Sequence, residues 1–228
     1  MFLPNIFVLY KPKDIVSGDF YWFYVKNNKI IIAAVDCTGH GVAGAFMSLI
    51  GYNLLNQIMK EKTNNSAADI LNKLNEDVIR SLHQDEAGSL SREGMDIALC
   101  IIDLNNSNLQ FSGANNPLYH IRGEEMTVIK ADKYSIGIQR GGKVAQFTNQ
   151  EIEFQRGDLI YLFSDGYAGQ VGGEDGTQKF MLPRFRELLI SVSKLSMAEQ
   201  HQALDYAIED WKKGQEQLDD ILVMGIRF

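Results

Sequence analysis

Ile30-Ile31-Ile32-Ala33-Ala34-Val35-Asp36-Cys37-Thr38-Gly39-His40-Gly41 is an apolar run that stops at an aspartate and enters a glycine-rich turn. Six consecutive apolar residues bounded by turn signals read as a strand. Beyond Gly41 the period changes: Phe46, Leu49, Ile50, Leu54 and Ile58 fall at helical spacing, which predicts a helix over 42–60. A strand, an Asp at its end and a turn with little side-chain bulk place one carboxylate at the rim of a sheet.

The same device recurs. Leu159-Ile160-Tyr161-Leu162-Phe163 runs into Ser164-Asp165-Gly166, and Asp219-Asp220 stand immediately before Ile221-Leu222-Val223-Met224-Gly225-Ile226. Gly18-Asp19-Phe20-Tyr21 adds an Asp at a strand start. If these rims converge, several carboxylates share one pocket. Two unit charges about 4 Å apart repel by about 4 kcal/mol at an effective dielectric of about 20. Such a cluster is stable only when protons or cations fill it, and all-oxygen donors suit Mg²⁺ or Mn²⁺. Neighbours on a strand point opposite ways, so one of Asp219 and Asp220 faces the pocket; the reading favours Asp219.

At 228 residues and 45% hydrophobic, the chain suits one large domain or two small ones with a sizeable core. Its net charge of −7 disfavours nucleic acid or an anionic membrane as partner, because phosphate surfaces need a basic footprint. Cys37 and Cys100 make no disulfide framework, so a reducing cytoplasm is the expected location. No apolar stretch approaches the roughly 18 residues of a membrane span, and residues 1–10 lack the features of a signal peptide. The first strand begins almost at residue 1, an abrupt start that fits a short natural form and an upstream continuation equally.

Further strands are read at 6–10, 20–25, 97–104, 109–112, 117–121, 126–129 and 145–154. Helices are read after the Ser66/Asp69 capping box, with Ile70, Leu74 and Val78 in its stripe, and at 180–193 and 197–213. Residues 84–94 and 132–143 read as loops, and the glycine-rich stretch 166–179 as a mobile loop. Arg156-Gly157-Asp158 falls in a tight turn between strands, where an adhesion role is not expected. Without a repeat or linker, the chain reads as a single domain over 1–228. Antiparallel hairpins with paired helices argue for an α+β class, sheets packed together and helices outside.

Lys13-Asp14-Ile15-Val16-Ser17-Gly18-Asp19-Phe20-Tyr21, Val35-Asp36-Cys37-Thr38-Gly39-His40-Gly41, Gly113-Ala114-Asn115-Asn116-Pro117, Phe163-Ser164-Asp165-Gly166 and Asp219-Asp220, in that order, resemble the SpoIIE-like branch of the metal-dependent type 2C protein phosphatases. The resemblance implies an antiparallel β-sandwich flanked by pairs of helices, with two Mn²⁺ or Mg²⁺ ions at one end. It also implies hydrolysis of phosphoserine or phosphothreonine on a protein. Asp36 resembles the carboxylate bridging both ions, Cys37 the position whose backbone carbonyl ligates, and Asp19, Asp165 and Asp219 the remaining carboxylates. Phosphorylated anti-sigma-factor antagonists, an upstream sensor domain and a homodimeric arrangement are the partners this resemblance allows.

The residue types suit that chemistry. Two cations can acidify a water and clamp the attacking and leaving oxygens, so no protein nucleophile is required. The chain departs from the eukaryotic pattern at Thr38, where those enzymes carry a histidine. His40, two residues on, is then the candidate general acid, against the plain reading that it caps the turn. Asp96 is read as a candidate for an accessory third metal, or as a simple turn carboxylate. Gly39, Gly41 and Gly44 read as close packing of turn against helix. Residues 166–179 are read as a substrate-contacting flap.

Overall fold

A computed structural model of the chain describes residues 5–61, 66–86, 93–137 and 144–228. One sheet has the order β1 (Asn5–Lys11), β12 (Ile221–Arg227), β9 (Leu159–Phe163), β6 (Leu118–Arg122), β7 (Glu125–Ile129). The other has the order β2 (Phe20–Lys26), β3 (Lys29–Cys37), β4 (Met95–Asp103), β5 (Asn108–Ala114), β8 (Gln150–Glu153). Every pairing within both sheets is antiparallel. Two long helices, α1 (Gly41–Ile58) and α2 (Ala67–Ser81), follow β3; α4 (Leu182–Val192) and α5 (Met197–Lys212) precede β12.

The alternation of side chains along each strand builds the layers. Ile30, Ile32 and Ala34 of β3 face Ile160, Leu162, Leu222 and Met224 in a core between the sheets. The intervening Ile31, Ala33 and Val35 face Leu55, Leu71, Leu74 and Val78 of α1 and α2. On the other sheet, Tyr161, Phe163 and Val223 pack against Phe185, Leu189, Leu204 and Ile208 of α4 and α5. This is the expected sandwich flanked by helix pairs. The Ser66 capping box is formed in both directions: Asp69 N–H donates to the serine hydroxyl, and Ser66 N–H donates to the aspartate.

Three local expectations need correction. The apolar spacing that predicts α1 does not mark its buried face: Phe46 is 65% and Leu49 57% exposed, while Gly44, Met47, Gly51, Leu55 and Ile58 are buried. The glycines allow that choice, since a Cβ on Gly44 would lie 2.3 Å from the Gly39 carbonyl oxygen and one on Gly51 2.9 Å from Met95 Cε. The strand read at 145–154 shortens to β8, because Ala145 and Phe147 plug the α2 side of the core as irregular chain.

The loop read at 166–179 contains a short helix, α3 (Gly166–Gly169), and a hairpin of β10 (Val171–Gly172) and β11 (Gln178–Lys179). It is anchored to α5 rather than loose. Gly173 N–H donates to the Trp211 carbonyl, and the Gln170 side chain joins Val171, Glu216 and Leu218. The aspartate of the Arg-Gly-Asp triplet is withdrawn from the surface, because Asp158 is 3% exposed. The loop regions read at 84–94 and 132–143 lie partly outside the described residues; within the second, Ile136 bridges back to Met95.

Candidate metal centre

Both sheets end their central strands at one edge of the sandwich, and the aspartates collect there. Asp36 is the penultimate residue of β3, directly across from Asp96 on β4. Phe20 pairs with Val35, which brings Asp19 beside Asp36. From the facing sheet come Asp165, two residues past β9, and Asp219, two before β12. Asp36, Cys37, Thr38, Gly39, His40, Met95, Asp96, Ser135, Asp165 and Asp219 line a basin of about 210 Å³. A larger, more open groove of about 510 Å³ runs along β11 and α4 past Lys179, Arg184 and Glu187, but it gathers no comparable set of carboxylates.

The turn after β3 is shaped by close approach. Thr38 ties it to the opposite loop, its N–H and hydroxyl both donating to the Gly94 carbonyl. A Cβ on Gly18 would lie 2.4 Å from the Gly39 carbonyl oxygen, so the segment carrying Asp19, the turn and the start of α1 are stacked backbone on backbone.

The two neighbouring aspartates before β12 separate as alternation requires. Asp219 lines the basin, whereas Asp220 is 2% exposed and accepts from the N–H groups of Lys13 and Gly18, each at 2.8 Å. One carboxylate thus pins both ends of the loop that leads to Asp19.

The electrostatics are those of anions crowded without compensation. Asp19 is 3% exposed, and its Oδ2 has no hydrogen-bond partner. Burial and the neighbouring Asp36 push its pKa up to about 9. Burial and Asp165 push Asp36 up to about 7. Asp165 is raised by burial and by Asp219. The Asp165 N–H points at Asp36 Oδ2 across 3.5 Å, the long limit of a hydrogen bond. A buried, unpaired carboxylate oxygen beside a second carboxylate is what a hard divalent cation relieves, so the donor set fits Mg²⁺ or Mn²⁺. Among the described residues no three or more Asp, Glu, His or Cys side chains come together closely enough to hold a metal ion by themselves. An open arrangement suits these ions, which keep several waters and use few protein carboxylates. The Cys37 thiol is buried and its pKa is raised well above normal by burial and the adjacent Asp36, so the side chain is a poor ligand and only its carbonyl is available.

Three polar residues at this site received no role in the sequence reading. Asn115 takes a left-handed backbone (φ 57°) and donates from its amide to Asp96 at 2.9 Å and to Ser135 at 3.0 Å. Ser164 Oγ accepts from Leu222 N–H, and the serine works against the rise that burial imposes on the Asp19 carboxyl. Lys13 Nζ stands 3.1 Å from His40 Nε2. An asparagine before Asn-Pro is the readable signal for the first, since such residues tolerate φ > 0.

A family model described as Stage II sporulation protein E (SpoIIE) matches residues 26–228, a span that begins after Asp19. Among solved structures, the chain is similar to the SiaA-PP2C domain of Pseudomonas aeruginosa. The identity is 30% and the TM-score 0.88, over 98% of this chain and 85% of that one. It is also similar to the PP2C phosphatase domain with a fragment of the regulatory domain of the cell fate determinant SpoIIE from Bacillus subtilis. There the identity is 21% and the TM-score 0.78, over 100% of this chain and 64% of that one. RsbX in complex with magnesium shares the fold at 14% identity and a TM-score of 0.66, over 98% and 94% of the two chains. A search among curated proteins returned no match.

Proposed function

We propose a function from one premise: the chain belongs to the SpoIIE family, whose fold is that of PP2C-type phosphatase domains. On that premise it is a metal-dependent protein serine/threonine phosphatase in bacterial signal transduction. The observation that carries this reading is the orphaned Asp19 oxygen beside Asp36, in a basin shared with Asp165 and Asp219.

Asp19, Asp36, Asp165, Asp219 and the Cys37 carbonyl are the groups that would hold two Mn²⁺ or Mg²⁺ ions. When bound, such ions supply the activation of water and the positive charge that phosphoryl transfer to water requires. Asp36 stands between the carboxylates of both sheets, which suits it to serve both ions. Asp165 and Asp219 bring charge from the far sheet, so the site depends on how the sandwich packs. Asp96, which accepts from the Asn115 amide, is the carboxylate that would take an accessory ion if it is more than a turn carboxylate. His40 lines the rim without belonging to the ligand set. The substrate is a phosphorylated protein, of which an anti-sigma-factor antagonist is the kind the family suggests, and an upstream sensor domain would set the activity. Two buried free thiols suit a cytoplasmic setting. Among the described residues no helix is long and apolar enough to cross a membrane.

Release of phosphate from a phosphoserine peptide, measured as Mn²⁺ is titrated, tests the reading. Turnover that requires Mn²⁺ and falls more than about 100-fold in Asp36→Asn is expected, since even outer partners of metal ligands cost about 10–100-fold. Turnover indifferent to Mn²⁺, or retained in Asp36→Asn, overturns it.

A further inference from the structure

The basin offers four carboxylates, with Asp19 beside them, to a substrate that is itself a dianion near neutral pH. The substrate therefore needs fixed positive charge from the protein as well. Lys179 is near enough to act on Asp165, but it belongs to the exposed β11. Lys13 is held in place by a chain of specific contacts.

Those contacts can be assigned by elimination. An ammonium only donates, so at 3.1 Å from Lys13 Nζ the His40 Nε2 must accept. A carboxylate only accepts, so His40 Nδ1 carries the hydrogen and donates to Asp14 Oδ2 at 3.1 Å. Asp14 is in turn seated at the start of α1: a Cβ on Gly41, whose φ is 63°, would lie 3.1 Å from Asp14 Oδ2. A carboxylate at a helix N-terminus is favourably placed. The backbone of the lysine itself is fixed, because Lys13 N–H donates to the buried Asp220. His40 and Asp14 are about half exposed, at 50% and 48% of their side chains, and pairs this exposed add little stability. Their arrangement serves placement rather than folding.

This tautomer leaves His40 with no hydrogen to give. Nδ1–H is committed to Asp14, and Nε2 offers a lone pair to Lys13. The side-chain N–H groups next to His40 are those of the Lys13 ammonium.

We propose that Lys13 receives the non-bridging oxygens of the substrate's phosphoryl group at the basin rim. His40 and Asp14 are positioning residues that hold its ammonium there. The proposal rests on the phosphatase reading and replaces the general-acid role read for His40. A lysine contributes to phosphate recognition as a point charge, so its effect does not depend on the leaving group.

Inorganic phosphate binding to the Mn²⁺-loaded protein, followed by calorimetry, is the first test. Lys13→Ala is expected to weaken phosphate roughly 10–100-fold, the range for a hydrogen bond to a charged group, with Mn²⁺ affinity unchanged. Lys13→Arg recovers part of the loss. His40→Ala weakens phosphate in the same direction but less, and the double variant is no worse than Lys13→Ala, because the two act as one unit. In turnover, Lys13→Ala raises KM by the same factor for p-nitrophenyl phosphate and phenyl phosphate, although their leaving groups differ in basicity. Unchanged phosphate affinity in Lys13→Ala overturns the proposal. So does a loss in His40→Ala confined to phenyl phosphate, which returns the proton-donor role to His40. A wild-type protein that hydrolyses neither ester sinks the phosphatase reading instead, and the phosphate titration still decides on Lys13.

Discussion

Strand β9 has an aspartate near each end, and the two ends obey opposite rules. At its start, Asp158 is 3% exposed and fully served. His120 Nε2 meets it at 2.9 Å, Arg122 Nη2 donates at 2.8 Å and Gln155 N–H at 2.9 Å. Burial alone would raise its pKa, but Arg122, the Gln155 amide and His120 together hold it below the ordinary carboxylate value. Beyond the other end, Asp165 opens onto the basin where Asp19, equally buried, has an oxygen with no partner and a pKa pushed the other way. Asp158 and Asp19 are equally buried; only Asp158 is compensated. A buried carboxylate with its partners beside it is part of the scaffold, and one without them is, on the proposed reading, a cation ligand.

The sharpest way to break this contrast is to neutralise one member at each end. Asp158→Asn leaves Arg122 and His120 facing a neutral amide, and is expected to cost about 1–3 kcal/mol in denaturant unfolding, the cost of leaving the buried His120 side of the cluster without its acceptor. Its turnover per folded molecule should stay near wild type. Asp36→Asn should do the reverse, losing turnover while leaving metal-free stability equal or higher, because it removes repulsion. A destabilised Asp36→Asn would show that the basin carboxylates are scaffold after all.

Solution pH probes the same difference more gently. Asp36 and Asp19 keep protons in the folded chain up to about 7 and about 9, whereas the unfolded chain releases them near 4. The folded state then binds more protons across that window, so stability in chelator falls as pH rises from about 4 to about 9. Asp158 has the opposite sign, its stabilisation disappearing only as pH drops below the ordinary carboxylate range. Thermal unfolding in chelator should therefore show a lower Tm at pH 8.5 than at pH 6, and added Mg²⁺ should raise Tm more at the higher pH. A metal effect independent of pH would mean the carboxylates are not uncompensated in the folded chain.

The smallest expected effect concerns Asp220, a served carboxylate lying inside the unserved end. Asp220→Ala leaves the Lys13 N–H and the buried Gly18 N–H without their acceptor and frees the loop before Asp19. It is expected to lower kcat/KM by about tenfold, the equivalent of one hydrogen bond to a charged group, with little change in fold. A fully active Asp220→Ala would show that the loop needs no anchor.

Much of this was legible in the chain itself. Apolar runs that stop at Asp-Gly give strand and rim carboxylate in one reading, and Asp219 and Asp220 separate by the simple alternation of a strand. What remained hidden depends on distance along the chain. Asp220 meets Gly18 across 202 residues, and no local pattern announces such a partner. The true inner face of α1 was masked because Phe46 and Leu49 are more hydrophobic than Gly44 and Gly51, although only the glycines allow the backbone to approach the turn and Met95. The stretch after Asp165 looked loose by composition, and its order comes from Trp211 and Gln170, which the sequence places some forty residues apart.

Calorimetric titration of Mn²⁺ into the wild-type protein, Asp36→Asn and Asp158→Asn tests the central claim most directly. Two ions binding to wild type and to Asp158→Asn, with binding lost or reduced in Asp36→Asn, is the result expected if the basin is the cation site. Equal binding by Asp36→Asn, or impaired binding confined to Asp158→Asn, would contradict it.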